Sequence, residues 1–280
     1  MKKKNSFFKR EDIALHLMAL PTFLYLLVFA YLPMIGVLMA FQRYNVIQGF
    51  FRSEWVGFRN FEFLFAGTDG WLITRNTVLY HFAYHITGYF VTIPAALLIT
   101  SLRTKGAAKV LQTIYIMPHF LSWAAVAIAI STMLGGVNSF GQRGIITWIL
   151  HLFGAEPFNN NWYQTRAFWP GFLIFLNSWK YTGMGMVLYI AVISGISTEL
   201  YEAAMIEGAS KLQQAWYITV PHLRFIITIN IIMSMGSIMR GEFGLHYIVP
   251  GEYAGYLLPV IDVLDTYVYR GLLSMSNLGM

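Results

Sequence analysis

The sequence predicts an all-α polytopic membrane protein, and three observations carry that prediction. Of the 280 residues, 57% are hydrophobic and only 11% are charged, with a mean hydropathy of +0.55; a soluble domain carries about 25% charged residues. The apolar residues are gathered into five runs, at about 17–41, 77–102, 110–134, 168–195 and 223–239, lengths that cross or nearly cross the roughly 30 Å of a bilayer's hydrocarbon as helix. A chain in hydrocarbon must satisfy its own backbone, which an isolated apolar run does only as a helix.

The first run follows "MKKKNSFFKR", the positive flank of a signal peptide. No small-residue cleavage site stands in a convincing place, so the run reads as a retained membrane helix. The other four runs tolerate one or two buried polar groups each. Placing the N-terminus in the cytoplasm puts Lys2, Lys3, Lys4, Lys9, Arg10, Arg103, Lys105, Lys109, Lys211 and Arg224 inside. Arg43, Arg52, Arg59, Arg75, Arg143, Arg166, Arg240 and Arg270 then fall outside. The inside cations lie in short segments close to the spans, where the positive-inside rule has force. Every lysine except Lys180 is on that side. Segments 42–76, 135–167 and 240–280 are therefore expected outside, and 196–222 inside. The ending "YRGLLSMSNLGM" reads as the approach to a sixth helix: a last span is expected to be missing from the sequence, the alternative being a five-span protein. The whole, 1–280, is read as one transmembrane domain.

Composition also excludes. The net charge of +6 is not gathered into a patch of the kind nucleic acid requires. There is no cysteine, hence no thiol chemistry. The phosphate-binding pattern GxxxxGK[ST] occurs nowhere, so no nucleotide site belongs to this chain. The span interiors contain no Asp or Glu, which argues against a membrane-embedded enzyme.

Segment 196–222 has structure of its own. Ser197 or Thr198 caps a helix start, and Glu199 in the first turn suits its positive end. Gly208 breaks that helix. Ser210 with Gln213 gives a capping-box pattern for a second one, and Pro221 marks the return to the bilayer. Pattern alone leaves two readings open, an amphipathic connector lying on the membrane surface or a docking element. Ala203 and Ala204 favour docking, because small residues admit another protein's backbone, and Glu202 offers a carboxylate to a partner's Arg or Lys.

The stretch "EAAMIEGAS…AWYITVPHL" resembles the EAA motif of the permease subunits of binding-protein-dependent ABC importers. Glu202, Ala203, Ala204, Gly208, Ala209 and Pro221 occupy the motif's places; Glu207 stands where Asp is usual and Trp216 where Phe is frequent. "FLYLLVFAYLPMIGVLMAFQRYN", "WVGFRNFEFLF", "RNTVLY", "MPHFLSWAAVAIA" and "VLDTYVYRGLL" are similar to carbohydrate permeases of this superfamily, most of all the oligosaccharide and polysaccharide-fragment branch of Gram-positive bacteria. The resemblance covers nearly the whole chain and implies the type I importer fold in the plasma membrane. It implies partners too: a second, homologous permease, two ATPase subunits that bind ATP and Mg, an extracellular solute-binding protein and an oligosaccharide substrate. Residues 196–222 become the coupling helix, with Glu202 meeting an arginine of the ATPase, Ala203 and Ala204 packing closely, and Gly208 making the turn. No cofactor or metal is expected in the chain itself.

Intramembrane polar groups point to the substrate path, since they are costly in lipid. Lys180 in "FLNSWKYTGMG" stands with Asn177, Trp179, Tyr181 and Thr182; lining the path, structural pairing and snorkelling are all open to it. His81 and His85 share a helical face at i, i+4, with Tyr80 and Tyr84 beside them. That spacing can hold zinc, but no third ligand lies nearby, leaving helix–helix hydrogen bonding or sugar contact. Trp123, with His119 and Ser122, is a weaker candidate. Trp55, Trp71, Trp162 and Tyr163 are expected on outer loops, facing a binding protein or anchored at the interface. Competing functions are the same importer architecture carrying a non-sugar solute, and less favourably an embedded enzyme or a secondary transporter.

Overall fold

The computed structural model describes residues 10–45, 47–62, 68–102, 104–135, 144–153, 162–251 and 254–275; the N-terminal lysines, Arg103 and Arg143 lie outside them. The chain divides into two compact units, one of residues 1–67 with 270–280 and one of residues 68–269.

In the first unit α1 (Arg10–Leu26) runs on through a π turn (Leu27–Tyr31) and a 3₁₀ segment (Leu32–Phe41). Residues 15–41 are apolar on all sides, and their large side chains are exposed, the pattern of a helix made for lipid or another subunit rather than water. Two short antiparallel strands follow, β1 (Gln42–Arg43) and β2 (Glu54–Trp55), with Gln42 opposite Trp55. Phe41 stacks on Trp55 and meets Phe58 and Phe61, and Asn60 Nδ2 donates to the carbonyls of Ala40 and Gln42. The helix end is thereby tied down.

The second unit is built on α2 (Thr68–Thr100) packed along α6 (Phe168–Ser194). Thr74, Thr77, Thr87 and Thr100 of α2 each donate a hydroxyl to the carbonyl four residues back, so these polar side chains are satisfied without water. Small residues allow close crossing. Ala96 is wholly buried; Gly185 faces Thr92; a Cβ on Gly183 would collide with the backbone of Tyr115.

The third apolar run is not one straight helix. It forms α3 (Lys105–Ile116), a 3₁₀ turn (Met117–Phe120) and α4 (Trp123–Leu134), bent by 95°. Pro118 starts the tight turn, and Ser122 restarts the helix by accepting the N–H of Ala125 at 3.2 Å. α5 (Ile145–Leu152) follows. After α6, α7 (Thr198–Ile206) turns away by 73°. Next, α8 (Lys211–Gln214), a π turn (Ala215–Thr219) and α9 (Val220–Met235) make one helix, starting at Lys211 rather than near Leu223. Pro221 does not end it, because the π turn just before it, closed by Val220 N–H on Ala215 O, shifts the ladder where proline has no N–H to give. Among the described residues, three unbroken helices are long and apolar enough to cross a bilayer, or up to five if each bent pair counts as one.

Beyond α9 the expected outer loop is structured: a π turn (Gly244–Ile248), α10 (Ala254–Ile261) and α11 (Leu264–Met275). Leu245, Val249, Leu257, Ile261 and Val263 pack with Trp169, Leu173 and Leu176 of α6 and Val126, Ile130 and Leu134 of α4. Tyr163 joins this core at 2% exposure, its ring 5.1 Å from Trp169, and so is not on an outer surface as expected; Trp55 and Trp71 are exposed.

Gly183→Val is expected to cost about 1–3 kcal/mol of packing, read as a lower thermal unfolding midpoint in detergent, whereas Gly171→Val, whose Cβ meets nothing within 4 Å, leaves it unchanged. Equal midpoints would show that the crossing is not tight.

Candidate functional site

Two regions of the second unit carry chemistry. The first is the turn between α7 and α8. Ser197 caps α7 by accepting the N–H of Glu199, and Gly208 takes φ +83°, a left-handed conformation that a side chain would strain. Ser210 and Gln213 form the capping box in full: Ser210 Oγ accepts Gln213 N–H at 3.3 Å and Gln213 Oε1 accepts Ser210 N–H at 2.8 Å. Gln214 Nε2 donates to Ala209 O, and the Tyr201 and Thr219 hydroxyls are bonded at 2.9 Å. A two-helix element results, held by side chains at both ends of its turn. Glu202, Met205 and Ile206 share one face of α7 by their i, i+3, i+4 spacing, and all three are exposed, with Ala203 beside them and Ala204 and Ala209 partly covered. Gly208 and Pro221 are exposed as well.

The second region is a cavity of about 640 Å³ between α2 and α6. Tyr80, His81, Tyr84 and His85 line it from α2, Asn177 and Tyr181 from α6, and Arg240, Glu242, His246 and Asp265 from the segment after α9. Much of the lining is already engaged. Tyr80 OH donates to Val260 O; Tyr84 OH and His246 Nε2 are 2.8 Å apart; Tyr181 OH donates to Glu242 Oε1 at 2.9 Å. The Tyr80 and Tyr84 rings stack at 5.6 Å and the His81 and His85 rings meet at 4.5 Å. His81 Nε2 is buried with no hydrogen-bond partner. Among the described residues no group of three His, Cys, Asp or Glu has the geometry to hold a metal.

Lys180, Trp123 and Trp179 are not on the lining. Lys180 is 5% exposed. Its ammonium donates to the carbonyls of His119, at 3.3 Å, and Leu121, and lies 4.9 Å above the Trp123 ring. Those carbonyls sit at the break in the third run, where helix ends leave acceptors unpaired. Trp123 Nε1 donates to Glu242 Oε1 at 2.9 Å. Lysine and tryptophan thus brace the cavity wall from behind, while Trp179 is 39% exposed. Glu242, His246, Asp265 and Arg240 were invisible as site residues in the sequence, falling in what reads as an outer loop.

His246, beyond the last apolar run, is fully buried. Its Nδ1 faces the carbonyl of Ile261 at 2.6 Å; a carbonyl only accepts, so Nδ1 bears the proton and Nε2 accepts from Tyr84. Burial depresses the imidazole to about 4, against a smaller upward pull from the Ile261 bond. Burial likewise raises the Asp265 carboxyl, opposed by the N–H of Gly241 and by Arg240.

The chain resembles known proteins over nearly its full length. It is 33% identical over 261 residues to protein LplB of Bacillus subtilis, covering 93% of this chain and 79% of that one. It is 34% identical over 266 residues to the polygalacturonan/rhamnogalacturonan transport system permease protein YteP of the same organism, covering 91% and 76%. No family model matches. Among solved structures, a chain of a bacterial alginate ABC transporter in complex with alginate pentasaccharide-bound periplasmic protein superposes with a TM-score of 0.82 at 28% identity, over 96% of this chain and 86% of that one.

Two outcomes follow from the geometry. Lys180→Met, which takes the ammonium from the carbonyls of His119 and Leu121, lowers the unfolding midpoint but leaves saccharide affinity within about twofold; an intact midpoint with lost affinity would return Lys180 to the path. For His246 the folded value lies below the unfolded 6.5, so its stabilisation is complete above about 6.5 and declines as pH falls towards about 4, where the unfolded chain takes up a proton the folded one refuses. The midpoint of the parent should fall across that window, and that of His246→Gln should fall less; parallel curves would refute the assignment. The fold, the coupling turn and the relatives agree: the chain belongs to the permease subunits of sugar ABC importers.

Proposed function

We propose that this chain forms one half of the membrane path of an importer that receives an oligosaccharide from an extracellular binding protein. It works beside a second, homologous permease and is driven by two ATPase subunits, which hold the ATP and Mg. The N-terminus and residues 196–222 face the cytoplasm. The names of the relatives, which concern pectic polysaccharides and alginate, support a polysaccharide fragment as cargo. So does the cavity, whose aromatic rings and polar groups suit sugar rings and hydroxyls.

The observation that carries this reading is the α7–α8 turn. Glu202 stands on an exposed face with Met205 and Ile206, on an element fixed by its caps, by the left-handed Gly208 and by the Tyr201–Thr219 bond. A docked ATPase meets Glu202 with a cation and packs against the two alanines. When the ATPases close on ATP, the element moves as a body. A loop without these bonds would absorb the motion; this one passes it to the helix Lys211–Met235.

The test is affinity purification of the tagged chain from its native membrane, with identification of the proteins that accompany it. The parent should bring an ATPase and a second permease. Glu202→Arg should lose at least tenfold of the ATPase while keeping the permease and its own elution volume. A chain that purifies with no ATPase in either sample would overturn the reading and leave α7 a surface helix.

A further inference from the structure

We infer that Arg240 is the cavity residue that takes a sugar carboxylate, so that the path selects for uronate-containing saccharides; the inference rests on the importer reading above. The charged residues on the lining are Arg240, Glu242 and Asp265. Both carboxylates are occupied by the protein. Glu242 Oε1 accepts from the Tyr181 hydroxyl and from Trp123 Nε1, each at 2.9 Å, and the Lys180 ammonium lies 4.9 Å from the centre of that indole ring. Asp265 accepts the backbone N–H of Gly241. The missing side chain of Gly241 is what lets the segment lie there: a Cβ would stand 2.7 Å from Val263 Cγ2 and 3.5 Å from Asp265 Oδ2.

Arg240 differs from both. It is exposed, and among the described residues its guanidinium makes no hydrogen bond, ion pair or stack on a ring. By contrast, Arg75 donates to Asn76 Oδ1, and Arg166 donates to Tyr256 O at 2.9 Å and lies 4.3 Å above that ring. Asp265 feels the charge of Arg240, yet burial keeps its carboxyl above the ordinary range; a guanidinium in contact would hold it below. The backbone that carries the free cation is nevertheless fixed, by the Gly241–Asp265 bond and by Arg240 N–H donating to Ser237 O at 2.9 Å. A planar guanidinium so placed can grip both oxygens of a carboxylate with paired donors. The rest of the lining suits the sugar that bears it. The hydroxyls of Tyr80, Tyr84 and Tyr181 are spent inside the protein, so these residues offer ring surface to the C–H faces of a pyranose. A uronate answers both features, whereas a neutral hexose answers only the rings.

The experiment uses the intact permease–ATPase complex in detergent, without binding protein, so that only the membrane path selects. The probes are two labelled β-1,4 pentamers that differ only at C6, one of mannuronate and one of mannose. The parent should bind the mannuronate pentamer about tenfold more tightly, the scale of one charge-assisted pair. Arg240→Gln should bring the two affinities within about twofold of each other, and Arg240→Lys, which keeps the charge without the fork, should retain part of the preference. Equal or tighter binding of mannose by the parent, or a preference that survives Arg240→Gln, overturns the inference while leaving the importer reading intact. An Arg240→Gln complex that binds neither pentamer marks a structural residue and overturns it too. If the parent binds neither pentamer although the ATPases copurify, the oligosaccharide reading falls as well.

Discussion

The ammonium of Lys180 on the carbonyls of His119 and Leu121 is the contact on which the membrane unit depends. A break of 95° in an apolar run leaves backbone acceptors without helical partners. A charge buried in hydrocarbon is equally costly by itself. Each solves the other's problem. Once the ammonium is fixed, α6 is pinned to the break, and Gly183 lets it approach to backbone contact with Tyr115. Trp123, the first residue of α4, then lies under the ammonium and reaches Glu242 with its indole N–H. Tyr181, the residue after the lysine, reaches the same carboxylate oxygen. The far wall of the cavity is thus set by bonds that begin at a kink.

This arrangement also relates the cavity to the coupling turn. The helix Lys211–Met235 is 25 residues long, about 37 Å at 1.5 Å per residue. One end carries the capping box and the Thr219 hydroxyl bonded to Tyr201. Asn230, near the other end, lines the cavity, and the chain that follows supplies Ser237 and Arg240 to Gly244. In the proposed function a displacement of α7 would reach the lining through this one element. The π turn before Pro221 keeps that element continuous where a proline in plain α-helix would have kinked it.

The sequence made legible what rests on local or solvent-wide constraints. Spans are legible because lipid imposes hydropathy and length on every one of them, and the apolar helix Leu15–Phe41 and α6 fall within a few residues of expectation. The coupling turn is legible because caps act over three or four residues: Ser197, Gly208, Ser210 and Gln213 perform the roles their spacing assigned. The break at 117–122 was missed because Pro118 near the end of an apolar run is compatible with a kinked span, and what decides the matter is a lysine about sixty residues away in sequence. Tyr80, His81, Tyr84, His85, Asn177 and Tyr181 converge on one cavity, as the cost of polar groups in lipid suggested. Lys180 obeys the same rule, but its partners are backbone atoms, which no side-chain pattern announces. Arg240, Glu242, His246 and Asp265 follow the last apolar run, and only the packing of Leu245, Val249 and Ile261 into the core brings them back.

The polar residues of the cavity therefore divide by commitment rather than by type. Tyr84 and His246 hold α2 to the turn at Ile261; Tyr80 holds it to Val260; Asn76 Nδ2 donates to the carbonyls of Pro259 and Asp262. Three side chains of α2 thus fasten one short segment, 259–262, whose backbone cannot pair within a regular helix at its end. Such groups shape the cavity but are not available to what enters it, because drawing one towards a ligand would strand its buried partner. What the cavity leaves open to a ligand is chiefly ring faces whose hydroxyls are already bound. A cavity framed in this way is rigid in its polar atoms and permissive along its aromatic surface, which suits the polysaccharide fragment proposed as cargo.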